Sequence, residues 1–206
     1  MNVFKSISDF IIALDISSIS EDRKTALQPL IDFIQVKVDN KEDVNLNFIC
    51  THNSRRSHLA QIWAQTLACF YKIPSVFCYS AGTEETALFP CVLDIVGDLG
   101  FKINQLSHGK NPVYSIEYSE KNVPILGFSK RMDNPYNPKT SFAAVMTCGE
   151  AEENCPYIIG AERRISLTYE DPKLYDNTNL QIRKYEERNR QIATEISYVF
   201  TNIKIK

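Results

Sequence analysis

Leu46-Asn47-Phe48-Ile49-Cys50-Thr51-His52-Asn53-Ser54-Arg55-Arg56-Ser57 is the stretch that decides the fold. Leu46 to Cys50 reads as a β-strand. Residues 56–71 read as a helix carrying Leu59, Ile62, Trp63, Leu67 and Phe70 at helical spacing. Between them lie a cysteine, five residues, an arginine and a serine. A loop placed so, from a strand's carboxyl end to a helix N-terminus, turns successive backbone N–H groups, the helix end and a guanidinium toward one tetrahedral anion. Thr51, His52, Asn53, Ser54, Arg55, Arg56 and Ser57 are therefore the candidate oxyanion-binding residues. The same field favours a thiolate, which makes Cys50 the candidate nucleophile. Ser57 is placed to donate its hydroxyl to that sulfur, and Asn53 tolerates the left-handed backbone such a loop needs. Arg56 is read as the clamp on the anion and Arg55 as facing solvent. The plain alternative is a buried structural cysteine beside a solvated arginine pair.

Working outward, strand and helix alternate. Ser75 to Ser80 reads as a second strand, closed by Ala81-Gly82-Thr83. Thr86 to Leu99 reads as a helix, unless Pro90 marks its first turn; Gly100 is a C-cap candidate. Ser141 to Thr147 reads as a third strand ending at Cys148, and Ile165 to Tyr169 as a fourth. Thr178-Asn179-Leu180-Gln181 reads as a capping box opening a long helix with Ile182, Tyr185, Ile192, Ile196 and Val199 on its apolar stripe. The alternation predicts an α/β fold: three layers around a four-stranded parallel sheet. Residues 107–140 break the rhythm, with 113–118 and 123–128 as a hairpin or flap. Residues 1–43 read as an N-terminal helical extension to a 44–206 domain. It holds two helices, the second opened by a capping box at Ser18-Ile19-Ser20-Glu21 and kinked at Pro29.

Two further motifs carry chemistry. Cys148 and Cys155 lie seven residues apart. Seven helical steps rise about 10 Å, while a disulfide needs Cα atoms about 4.4–6.8 Å apart. The pair can bond only if the segment unwinds, which suits a redox switch. The alternatives are a zinc site or two unrelated thiols; zinc wants four ligands, and His52, His58 and His108 supply no partner pair. No metal is called for. Asp171, in Tyr169-Glu170-Asp171-Pro172, sits on a turn and is the candidate proton donor to a leaving oxygen. Cys69, Cys78 and Cys91 read as buried and inert; Arg163-Arg164 and the face around Lys184 read as solvated charge.

The bulk properties agree with one globular unit. The chain has 206 residues, 44% of them hydrophobic and 23% charged, with a net charge of −2. That charge gives no basic field for nucleic acid or an anionic membrane surface. No apolar run approaches the roughly 20 residues a membrane span needs. Asp9 and Asp15 flank the short apolar run 10–14, which argues against a signal peptide. Six cysteines are too few for a disulfide scaffold, so the expected setting is the cytoplasm, with free thiols.

With these residues in hand the chain resembles the low-molecular-weight protein tyrosine phosphatase superfamily. Within it, it looks most like the thioredoxin-coupled arsenate reductases. The pieces fall in family order: FICTHNSRRS (48–57), YSAGTE (79–84), VMTCGEAEENCP (145–156) and YEDP (169–172). The resemblance implies Cys50 as nucleophile, Arg56 as clamp, Asn53 and Ser57 as tuners of the thiolate, Cys148 and Cys155 as relay cysteines, and Asp171 as the acid. It implies arsenate reduction with no tightly bound cofactor, the electrons coming from thioredoxin or a similar thiol donor. The substrate would be arsenate or a phosphate-type oxyanion. The rival readings are a phosphatase with a phosphocysteine intermediate and a non-catalytic oxyanion-binding module. His52 departs from the glycine usual in the family, Ser166-Leu167-Thr168 replace the residues usual before the Asp-Pro motif, and Gln61 stands where some arsenate reductases carry a glutamate near a potassium ion.

Overall fold

The structure is a computed structural model describing residues 3–154 and 157–205. Cys155, expected as a relay cysteine, therefore lies outside the described residues. Strands β1 (Val44–Cys50), β2 (Val76–Gly82), β6 (Phe142–Met146) and β7 (Ala161–Ser166) form one parallel sheet in the order β2-β1-β6-β7. The expected four-stranded parallel sheet is present. The fourth strand overlaps the expected 165–169 window and starts earlier, at Ala161: Arg163 and Arg164 pair with Ala143 and Ala144, Ile165 and Ser166 with Val145 and Met146.

Period-two alternation sorts the side chains to two faces. Leu46, Phe48, Ala143 and Val145 face the larger core, with α2 (Glu21–Asn40), α3 (Arg56–Phe70) and α6 (Gln181–Thr201). Ile49, Ala144 and Met146 face a smaller cluster that holds Cys50, Cys148 and Ala151 of α5 (Gly149–Asn154). Layers thus cover both faces of the sheet. The chain leaves β1 toward β2 on one side and returns as β6 on the other. Cys50 and Cys148 lie at that switch point, on the carboxyl side of the strands, where open α/β sheets bind ligands.

The two N-terminal helices, α1 (Lys5–Ile12) and α2, bury Ile7, Ile11, Leu27, Leu30 and Ile34 in the same core as Leu46, Ile192 and Ile196. Phe10 stacks on the buried Trp63 at 5.2 Å between centroids. The extension's apolar faces pack on the chain itself. Pro29 lies inside an uninterrupted α2, and the helix is capped at Ser20, whose hydroxyl accepts from Arg23 N at 3.3 Å, not at Ser18. The helix after β2 is α4 (Pro90–Asp98), with Pro90 in its first turn. α6 opens at Gln181, whose side chain reaches back to accept from Asn177 N at 2.7 Å.

The irregular middle forms a second, antiparallel sheet of β3 (Lys102–Gln105), β4 (Tyr114–Glu117) and β5 (Ile125–Gly127). β4 and β5 are the expected hairpin; β3 was not anticipated, because a four-residue polar strand has no periodicity to read. Among the described residues no helix is long and apolar enough to cross a membrane.

Candidate active site

The 50–57 loop closes into a cradle because its carbonyls are held outward. Cys50 O accepts from Thr83 N (3.2 Å), Thr51 O from Glu84 N (2.8 Å), and Ser54 O from Phe89 N (3.0 Å). His52 O accepts from Thr86 Oγ1 (2.9 Å) and Ser129 Oγ (3.0 Å). With those oxygens occupied, amides turn in: Asn53 N donates to Cys50 Sγ at 3.2 Å. Inward N–H groups of this kind make an anion nest. Asn53 has φ +45°, the left-handed backbone expected of it. Its side chain donates to Ser57 Oγ (2.9 Å) and accepts from Lys130 N (2.8 Å), locking the loop to the segment after β5. Ser57 Oγ lies 3.1 Å from Cys50 Sγ. His52 fits without the left-handed backbone a glycine would license, and its Nε2 lies 3.5 Å from Glu84 Oε2.

Gly82 makes this closure possible. A Cβ there would stand 2.4 Å from Glu84 O, 2.7 Å from Thr51 O and 2.9 Å from Asn53 N, all backbone atoms that cannot swing aside. Gly82→Ala is expected to cost about 2–4 kcal/mol by overpacking. The displaced loop is expected to lose activity on the order of 100-fold. Thermal melting and oxyanion turnover check both; a variant with wild-type melting and turnover would contradict the closure argument.

Burial opposes the thiolate expected of Cys50. Burial pushes the Cys50 thiol up and neighbouring Cys148 adds to the rise. The Ser57 hydroxyl, the Arg56 charge and the Ser54 amide pull back without reversing it. Arg56 has its charge occupied elsewhere: its guanidinium donates to Tyr169 O (2.9 Å) and pairs with Asp171 Oδ2 (2.5 Å). The clamp and the candidate proton donor are thus neighbours across the site.

Arg55 also departs from expectation. It does not face solvent: Nε donates to Tyr185 Oη (2.5 Å), a terminal nitrogen pairs with Asp176 Oδ2 (2.5 Å), and the guanidinium lies 4.2 Å from the Phe89 ring centroid. Its side chain is unavailable to an anion in the cradle. Arg164 is likewise engaged, pairing with Glu152 of α5 at 2.7 Å.

Cys148 is brought to the loop. It is buried beside Cys50 in the smaller core cluster, its Sγ 3.4 Å from Thr51 Oγ1. It heads α5, where Ala151 N donates to Sγ at 3.4 Å, and Thr51 Oγ1 donates to Glu150 Oε2 at 2.8 Å. Residues 149–154 are helical.

Beneath the loop lies a polar layer that sequence reading did not single out. Lys130 is fully buried, with Nζ 3.3 Å from Ser80 Oγ, and Ser80 Oγ is 3.2 Å from His58 Nδ1. Burial lowers Lys130 to about 7. An unfolded lysine titrates near 10.4. Between those values the unfolded chain binds more protons, so this lysine makes stability rise with pH from about 7 toward 10 and lowers it below 7. Melting temperature is expected to climb several degrees between pH 7 and 9 in wild type, at roughly 2–4 °C per kcal/mol. In Lys130→Met the slope should flatten; an unchanged slope would place the linkage elsewhere. Lys130 sits in a segment with no motif and no period, and only its burial reveals it.

No protein-family model matches the sequence, and no curated protein sequence matches it. Solved structures do resemble the fold. A low-molecular-weight protein tyrosine phosphatase from T. tengcongensis shares 13% identity with a TM-score of 0.52, over 78% of this chain and 100% of that one. A YwlE mutant from Bacillus subtilis shares 12% identity with a TM-score of 0.50, over 77% and 97%. An arsenate reductase in the reduced state shares 18% identity with a TM-score of 0.47, over 78% and 99%, a likeness too low to carry weight. The chain has the low-molecular-weight phosphatase fold, and at these identities the likeness speaks for the fold alone.

Proposed function

We propose that this chain reduces arsenate to arsenite through Cys50 and a disulfide relay. The observation that carries the reading is Cys148, a second thiol buried against the Cys50 loop. Hydrolysis of a phosphoester needs no second thiol there; reduction of arsenic does. Arsenate docks on the loop amides and takes Arg56 from Asp171. Cys50 Sγ attacks arsenic, its thiol proton passes to the Asp171 carboxylate and from there to the oxygen that leaves as water, and Cys50 becomes a thioarsenate. Cys148 then attacks Cys50 Sγ: the S–S bond forms, the S–As bond breaks, and its electron pair leaves with arsenic as arsenite. In this reading Cys155 next exchanges with Cys148 and frees Cys50. A thioredoxin-type dithiol in the cytoplasm then reduces the Cys148–Cys155 bond. The reading calls for no tightly bound cofactor.

A second reading, phosphomonoester hydrolysis, is favoured by the Arg56–Asp171 pair at 2.5 Å beside Cys50. Those groups suffice to make a phosphocysteine and hand it to water. Arsenate and phosphate share shape and charge, so the loop does not choose between them.

The deciding experiment is arsenate-dependent NADPH oxidation with thioredoxin and thioredoxin reductase, beside hydrolysis of p-nitrophenyl phosphate. One equivalent of arsenate without reductant should leave a Cys50–Cys148 or Cys148–Cys155 disulfide, read by mass spectrometry after alkylation. Phosphate ester hydrolysis with no arsenate-driven disulfide would decide for the phosphatase.

A further inference from the structure

Two adjacent arginines hold the two ends of one short loop, and they hold them differently. Arg56 pairs with Asp171 at the loop's start, and Arg55 with Asp176 at its end. Residues Pro172–Tyr175 between them form a single tight turn. Lys173 N donates to Asp171 Oδ1 (3.0 Å) and Asp176 N to Lys173 O (3.0 Å), so the turn moves as a unit.

The pairing at the start is exchangeable. The Arg56 guanidinium belongs to the anion cradle, and an oxyanion arriving there competes with Asp171 for it. The pairing at the end has further partners. There Arg55 also donates to Tyr185 Oη, Tyr185 Oη donates to Asp176 Oδ1 (2.7 Å), and Phe89 stacks on Tyr185 with centroids 5.6 Å apart. The Arg55 and Asp176 side chains are only 11% and 15% exposed, so water and salt screen this pair less than a surface bridge.

We propose that Arg55, Asp176 and Tyr185 are positioning residues: a permanent anchor that keeps Asp171 at the cradle after the oxyanion has displaced it from Arg56. The idea rests on reading Asp171 as the proton donor. Without the anchor, the arrival of substrate would free the loop at the moment its acid is needed. A displacement of about 1 Å can cost on the order of 100-fold in rate.

The test uses Asp176→Asn and inorganic phosphate as the probe. Hydrogen exchange at the Lys173 and Asp176 amides should be unchanged when phosphate saturates the wild type. In Asp176→Asn it should accelerate about tenfold or more on adding phosphate, since local opening sets exchange. The second readout is kcat/KM over aryl phosphates, which reports the step that expels the leaving group. Loss of a positioned acid should cost phenyl phosphate about tenfold more than p-nitrophenyl phosphate. Inhibition by phosphate should stay within about twofold, because the cradle is intact. Unaltered amide protection in Asp176→Asn, or a loss uniform across leaving groups, would overturn the anchor. Asp171→Asn separates the two ideas. Leaving-group dependence there but not in Asp176→Asn sinks the anchor alone; none in either sinks the proton-donor reading as well. If Asp176→Asn does not fold, Tyr185→Phe should show the same exchange response at smaller amplitude, and its absence would count against the anchor.

Discussion

Cys50→Ser is expected to abolish arsenate and aryl-phosphate turnover together, by about 10⁴-fold or more, while leaving the fold intact. The physical ground is the position of one sulfur. Cys50 Sγ accepts from Asn53 N at 3.2 Å and lies 3.1 Å from Ser57 Oγ, at the bottom of a loop whose carbonyls are bound outward. A serine hydroxyl fits the same hydrogen bonds but is a far weaker nucleophile. Anion binding should survive, so competition by inorganic phosphate separates lost chemistry from a lost site. Residual turnover above one per cent in either assay would remove Cys50 from the nucleophile's role.

Cys148→Ser has the second large effect, and a selective one. Arsenate turnover should fall at least about 100-fold, because the thiol that attacks Cys50 Sγ is then gone. p-Nitrophenyl phosphate hydrolysis should change by less than about threefold, because a phosphocysteine is opened by water, not by a thiol. The substitution is close to isosteric, and a hydroxyl can still accept from Ala151 N where the sulfur does at 3.4 Å. Stability is therefore expected to move by no more than about 1 kcal/mol. Arsenate turnover that persists in Cys148→Ser would rule out the relay and leave the phosphatase reading in its place.

The parts of the site that were legible in sequence are those where residue type and local position settle the geometry. Cys50 at a strand end, Asn53 in a left-handed turn, and Ser57 in the first turn of α3 meet within the loop itself, so spacing alone brings them together. The same logic placed Cys148 at the end of an apolar run and Asp171 on an Asp-Pro turn. It failed for Arg55. Two arginines side by side carry no local mark of which enters the site. Arg55 finds Asp176 and Tyr185, 121 and 130 residues away, only after α6 docks on α3. Tyr185 was legible as an apolar-stripe residue, and it is buried as one, but the use of its hydroxyl depends on partners the stripe does not contain. The burial of Cys50 was missed for a related reason: local dipoles favour the thiolate, while burial, which pushes the thiol up, is not a local property.

By itself, then, the sequence determined the alternation of strands and helices, the parallel four-stranded sheet, and the cradle that begins at Cys50. All three follow from periodicity and from turn residues acting on their near neighbours. Only the tertiary structure decided that the N-terminal helices share the main core, that Cys148 lies against the Cys50 loop, and that each arginine has its own carboxylate. It also decided that Lys130, Ser80 and His58 form a buried polar layer below. These are contacts between segments far apart in the chain, and they exist only once packing has paid the entropy of bringing those segments together.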